Sequence, residues 1–353
     1  MATTPDRNEV ERLLRRMPLA QAPDGLWDDV RAELDRPEER RRPAMLRRPV
    51  RSPVLAAAAM LAALIGGTYV GVLVTYDAPS RWQVQALAGV PTVSGVAVTE
   101  GGDLGRGEWL VTDSLSRAQL AVGRIGTAEV GPNSRVRLDP GGLTEHRLTL
   151  ERGTLDAVIA APPRLFFVET PAVLATDLGC AYTLEVDSAG TSTIHVTAGW
   201  VELTQGPRVS IVPAGLAARV EVGGGPGTPY PEGFPPEARA ALHRLDRGSA
   251  SAADLDAVFE ALPPPTAPIT VRQESAITLW HLVQRLEGEP RRRAYGRLLS
   301  LSAPPPGVTR EGILALERPM LERWRRDLNP MWSEEAQPLV TRVVRRLWEW
   351  TMR

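Results

Sequence analysis

The sequence contains no lysine: all 41 basic residues are arginine. This excludes chemistry that needs a side-chain amine, including Walker-type phosphate loops, Schiff-base catalysis, Ser-Lys dyads and the protein-kinase fold. A GC-rich coding sequence would account for the replacement without a functional cause. Cysteine occurs once, at Cys180, so no intramolecular disulfide is available and the fold must rest on packing. The four histidines, His146, His195, His243 and His281, show no H-E-x-x-H or paired-ligand spacing. His195 lies on an alternating strand and is expected at the surface, while His281, beside Trp280, is expected in a helix core. No G-x-S-x-G elbow is present. The formal net charge of -1 leaves no basic surplus for nucleic acid. The chain is therefore expected to be non-enzymatic, without a cofactor, a metal or direct nucleic-acid binding.

What is present begins with an uncharged run. Val54 to Tyr76 reads VLAAAAMLAALIGGTYVGVLVTY, 23 residues without a charge. About 20 apolar residues cross a bilayer as a helix. The preceding stretch, RPEERRRPAMLRRPVRSP, is dense in arginine, while DAPSRWQ after the run is nearly neutral. Cationic flanks stay on the cytoplasmic side, so residues 1–52 are expected inside, 53–76 as a transmembrane helix, and the bulk outside. The expected location is the bacterial inner membrane, single-pass. The rival reading, a cleaved signal peptide, conflicts with the more than fifty residues that precede the run.

The arm of residues 1–52 reads as two short amphipathic helices. In TTPDRNEVERLLRRM, Thr4 can cap, Pro5 suits the first turn, and Val10, Leu13, Leu14 and Met17 share a face. In APDGLWDDVRAELDRP, Leu26, Trp27, Val30 and Leu34 share a face and Pro37 ends the helix. Helices this short are marginal alone, so they gain most by folding against a partner. Val10, Leu13, Leu14, Leu26, Trp27, Val30 and Leu34 are the candidate partner-binding residues. The plainer alternative is that the pair closes on itself or lies on the membrane.

From residue 77 to 222 the chain alternates strand-like runs with glycine turns. Leu148, Leu150 and Leu155, or Ile194, Val196, Val201 and Leu203, mark half-buried strands. A strand, short turn, glycine, strand unit recurs around Gly153, Gly199 and Gly215. This spacing predicts an all-β sandwich, barrel or solenoid-like stack. The pieces GRGEWLVTDSLSRAQLAV, NSRVRL, LTLERGTLDAVI, FFVETPAVLATDLGCAYTLEVD and TIHVTAGWVEL, in this order, resemble the FecR domain. The motif positions include Gly107, Gly153, Pro171, Gly179, Cys180 and Gly199. Family members commonly carry glycine-threonine where this chain has Gly179-Cys180. The resemblance implies an extracytoplasmic sensing or scaffolding domain on a single-pass protein. It also implies that the arm's partner is a cytoplasmic sigma factor, which the protein would regulate as an anti-sigma factor.

Residues 223–236, GGGPGTPYPEGFPP, read as a glycine- and proline-rich linker. Residues 237–353 read as an all-α region, with breaks at Pro263–Pro265 and Pro304–Pro306 and with Trp280, Trp324, Trp332, Trp348 and Trp350 as core candidates. Two functions remain open at this point. One is signal transduction to a sigma factor. The other is an envelope interaction or structural protein whose β domain binds a protein or glycan, with the arm only a tether. Cys180 itself reads as a small buried residue rather than a nucleophile, since no cation cluster stands near it in sequence.

Overall fold

The computed structural model describes residues 78–328. The arm, the expected span at 53–76, and Trp332, Trp348 and Trp350 lie outside the described residues. Among the described residues, no helix is long and apolar enough to cross a membrane. The architecture is a β-rich body followed by a helical part.

Strand β1 (Arg81–Ala88) opens a first sheet, and β2 (Thr92–Val93) and β3 (Val96–Ala97) form a hairpin in a second. β4 (Gly101–Gly105) returns to pair with β1, and β5 (Trp109–Val111) crosses to the second sheet. β6 (Arg117–Val122) and β7 (Gly126–Val130) form a hairpin in the first sheet; β8 (Arg135–Asp139) belongs to the second. β9 (His146–Ile159) serves both. Next come β10 (Phe166–Glu169) and β11 (Leu174–Asp177) in the second sheet, and β12 (Ala181–Val186) and β13 (Ser192–Ala198) in the first. β14 (Trp200–Gln205) and β15 (Arg208–Pro213) lie in the second sheet, β16 (Leu216–Val220) and β17 (Tyr230–Pro231) in the first. The chain thus deposits strands, singly or in pairs, alternately on two sheets.

The pattern follows from side-chain alternation. β6, β8 and β12 bury every second residue, which fits strands with one face on a core. Trp82, Leu104, Leu110, Leu120, Leu148 and Leu184 are buried between the sheets. Each such leucine contributes roughly 1.5–3 kcal/mol relative to exposure.

Two local expectations are revised by the topology. Gly153 is not a turn between two strands. It lies inside the 14-residue β9, whose first half pairs with β8 and β10 in the second sheet and whose second half pairs with β7 and β12 in the first. Nor do β13 and β14 form a hairpin at Gly199: β13 pairs with β12 and β16, and β14 with β11 and β15. The glycines mark crossings between sheets. Gly107 precedes β5, Gly153 bends β9, Gly179 precedes β12, Gly199 precedes β14 and Gly215 precedes β16. All five have φ between +68° and +95°, a region where a side chain is strained.

The helical part begins with α1 (Pro236–Asp246), whose proline start supplies a ready first-turn φ. A capping box of Ser251 and Asp254 starts α2 (Ala252–Ala261). Then follow α3 (Ile269–Arg285), α4 (Gly288–Leu301), α5 (Arg310–Leu314) and α6 (Arg318–Leu328). The stretch TREGILALERPMLERWRRDL, expected as one helix, is two: Leu316 takes φ +58° between α5 and α6, and Pro319 falls in the first turn of α6. Leu242, Val258, Leu279, Leu298 and Trp324 form the helical core, and Trp324 meets Tyr295 edge-on at 5.8 Å.

Gly153→Ala is expected to destabilise the protein by ~2–4 kcal/mol, because φ +95° is unfavourable and the new Cβ would fall inside Ser134. Gly206→Ala, at φ +57° with open space around it, should cost only ~1 kcal/mol. Urea unfolding followed by tryptophan fluorescence checks the contrast.

Candidate functional site

The motif residues singled out in sequence do not all meet. Gly107 sits at one end of the β body, where its N–H donates to the Leu138 carbonyl at 2.7 Å. Pro171 lies exposed in the β10–β11 hairpin, a turn closed by Thr170, whose hydroxyl accepts from the N–H of Val173 at 3.0 Å. Gly153 lies at the bend of β9. Gly179, Cys180 and Gly199 do come together, at the corner where β11 hands over to β12. There the carbonyl of Gly179 and the Cα of Cys180, the latter 2.9 Å away, would block any Cβ at position 199. The candidate partner residues of the arm, Val10, Leu13, Leu14, Leu26, Trp27, Val30 and Leu34, lie outside the described residues.

The corner holds a polar cluster around Asp177, which in sequence is only one of several neighbouring carboxylates, with Glu169, Glu185 and Asp187. Asp177 is buried, 1% exposed, at the end of β11. One carboxylate oxygen accepts from the N–H of Gly179 at 2.7 Å, and the other accepts from the thiol of Cys180. The Asp177 carbonyl accepts from the N–H of Arg164 at 2.8 Å. Burial pushes the Asp177 carboxyl up to about 7, against which the two donors pull only in part. Burial also pushes the Cys180 thiol up, and the charge of Asp177 adds to it. The thiol is thus kept protonated, which fits a packed residue rather than a nucleophile. Tyr182, two residues on, is buried with its hydroxyl unpartnered among the described residues, and burial raises it as well, with Asp177 and Cys180 adding. The Asp177 signal could have been found: it is a carboxylate at an inward position of an apolar strand.

A second polar cluster joins the β body to the helices. Arg285, near the end of α3, donates from Nη1 to Thr228 Oγ1 at 2.6 Å and Asp246 Oδ1 at 2.8 Å, and from Nη2 to Ser210 Oγ at 2.5 Å. One guanidinium therefore ties α3 to β15, α1 and the segment leading to β17. The segment 223–236, expected as a linker, is part of this joint. Thr228 and Tyr230 are buried, and Tyr230 pairs with Ala217 of β16. The two cores also exchange residues: Ile277 of α3 packs into the β core, and Ala217 into the helical one. The free edge of β15 is covered as well. Arg208 donates to the Gly224 carbonyl at 3.1 Å, and buried His281 hydrogen-bonds the main chain at Ile211. Such covering protects an edge strand from pairing with other chains. His281 is held well below its ordinary pKa by burial and by Arg285 nearby, so it stays neutral. His195, by contrast, is partly exposed and stands 4.0 Å from Glu232.

Beside this joint, Arg219, Glu221, His243, Asp246 and Arg247 line a shallow cleft. Its charges are mostly matched: Arg247 pairs with Glu221 at 2.9 Å and Arg285 with Asp246. Among the described residues, no group of three or more His, Cys, Asp or Glu side chains is placed to hold a metal.

No protein-family model matches the chain, and no curated protein matches it. Two crystal structures, at 1.65 and 2.50 Å, of a protein named as a candidate anti-sigma factor from Parabacteroides distasonis ATCC 8503 resemble part of it. In each case the identity is 14% and the TM-score 0.30, over 33% of this chain and 56% of the other. The chain thus spans just over half the length of these neighbours.

Two expectations follow from the clusters. The Asp177 pKa is raised from 3.8 to about 7, so the folded state keeps a proton that the unfolded chain releases. Stability is then fullest below about pH 4 and falls as pH rises toward about 7, by on the order of 4 kcal/mol in all. Asp177→Asn should flatten this slope, measured as urea midpoints between pH 5 and 8. Arg285→Ala strands Asp246 in a half-dry joint and is expected to cost about 3 kcal/mol. Faster hydrogen exchange across α3, with β6 and β7 unchanged, would report the release of the helices.

Proposed function

We propose that this chain is a non-enzymatic envelope regulator of the FecR type, with its N-terminal arm inside the cell and residues from 77 onward outside. The arm would bind a cytoplasmic sigma factor and the β body would receive the signal, from a protein or another ligand. The carrying observation is where the glycines of the FecR resemblance fall. Gly107, Gly153, Gly179 and Gly199 all adopt positive φ at crossings between the two sheets. These are sites where the two-sheet architecture itself demands glycine, so the resemblance extends to positions with a structural reason. The arginine-rich flank and the 23 uncharged residues before Asp77 support the orientation. The two helices expected in the arm from its sequence would carry apolar stripes and be too short to be stable alone, which supports a partner.

The second reading keeps the same topology but makes the arm a tether, with the β body binding a protein or glycan in the envelope. The cation-aromatic contacts on the half-buried outer face of the second sheet favour this reading. There Trp109 lies under the guanidinium of Arg135 at 4.0 Å, and Arg147 lies over Phe167 at 4.4 Å.

Residues 1–52 are expected to capture one sigma factor of the source genome in a bacterial two-hybrid assay. Leu13→Asp and Trp27→Asp should reduce the signal at least tenfold. An expressed arm that binds none of them sinks the regulatory reading. Deletion of residues 1–36 separates the alternatives, since a tether tolerates it and a regulator loses its transcriptional output.

A further inference from the structure

Residues 78–80 are fastened into one end of the β body, directly before the first strand. The N–H of Ala78 donates to the Leu143 carbonyl at 2.8 Å, and Arg106 donates from Nη2 to the Ala78 carbonyl at 3.2 Å. The N–H of Arg106 donates to the Ser80 carbonyl at 3.2 Å, and Pro79 lies over Gly123. Three loops therefore meet here: 106–108, 123–125 and 140–145. Their outer surface carries Leu143, 74% exposed, with exposed Arg106 and Arg124. The other charges at this end are matched, Glu145 by Arg147 at 2.9 Å and Asp139 by Arg137 at 2.6 Å. Arg106 and Arg124 have no acidic partner among the described residues.

The length of chain outside this region decides what the surface faces. The uncharged run ends at Tyr76, and only Asp77 separates it from Ala78. Two residue steps reach at most ~7 Å. The polar headgroup layer on one side of a bilayer is roughly 5–7 Å thick. A body fastened at Ala78 cannot stand clear of that layer, whichever way it tilts. We propose that this end of the β body is docked on the lipid surface, with Leu143 in the interface and Arg106 and Arg124 toward phospholipid phosphates. The proposal rests on reading 53–76 as a membrane span. Leucine beside arginine is a suitable pairing there, an apolar group at the acyl boundary and cations at the anionic heads. The opposite end of β1, about 25 Å away along the strand, presents Leu87, Val90 and Leu115 to the aqueous side. With no slack at Ala78, a signal that tilts or lifts the body acts directly on the span.

The test uses the full chain in vesicles of phosphatidylethanolamine and phosphatidylglycerol. Leu143→Cys and Leu115→Cys are each labelled with an environment-sensitive fluorophore; both sites are exposed, and buried Cys180 makes the unsubstituted chain the labelling blank. Flotation in alkaline carbonate reports the anchor separately. The expected result is that the label at 143 is quenched by lipid-borne nitroxide at least threefold more than the label at 115. Equal quenching in protein that floats overturns the docking and leaves the anchor standing. Protein that fails to float overturns both.

Discussion

The β body depends on one constraint: a single chain must serve two sheets, and at most of its crossings between them a residue turns left-handed. β9 carries this constraint in its most demanding form. Its two halves belong to different sheets, and each half has partners on both sides. At the bend, Gly153 presses on Ser134, whose hydroxyl accepts from the N–H of Thr154 at 2.9 Å. A side chain there would push the sheets apart at the strand that joins them. The same logic repeats at Gly199, where the crossing runs directly over Gly179 and Cys180.

Close packing at these corners explains the unusual chemistry inside them. Asp177 is buried because the β11–β12 crossing folds inward under Gly199, and its carboxylate then satisfies the N–H of Gly179. The thiol of Cys180 completes the arrangement as a weak donor. Asp177 and Cys180 hold a corner together, and the cost of burying Asp177 appears as its raised pKa. The joint with the helices works differently. Arg285 gathers three polar acceptors from separate elements at the edge of the β body, while Ile277 and Ala217 make the apolar contact beneath. The helices thereby cover the edge of β15 and stop the sheet from growing.

Alternation made much of this legible. Leu148, Leu150, Leu155, Ile194 and Val196 were assigned to inward faces from period-two spacing, and all are buried. Cys180 was read as packing, and it is buried. What was not legible is pairing. A glycine between two apolar strands looks the same whether it makes a hairpin, as expected at Gly199, or a crossing, as found. The glycine- and proline-rich run 223–236 looked like a spacer because its composition suits one. Its order comes from contacts with residues far along the chain, Tyr230 with Ala217 and Thr228 with Arg285.

By itself the sequence determined the character of each segment: an arginine-flanked apolar run, a strand-rich middle and a helix-rich end. Those are local properties, set by hydrophobic period and by where glycine and proline break it. Only the tertiary structure decided which strands share a sheet, that Asp177 is buried beside Cys180, and that the helices are clamped to the β body through Arg285. Each of these depends on residues distant in sequence meeting in a dry environment, where an unpaired donor or charge is costly. That cost is absent from any local window, so it became visible only when the partners were brought together.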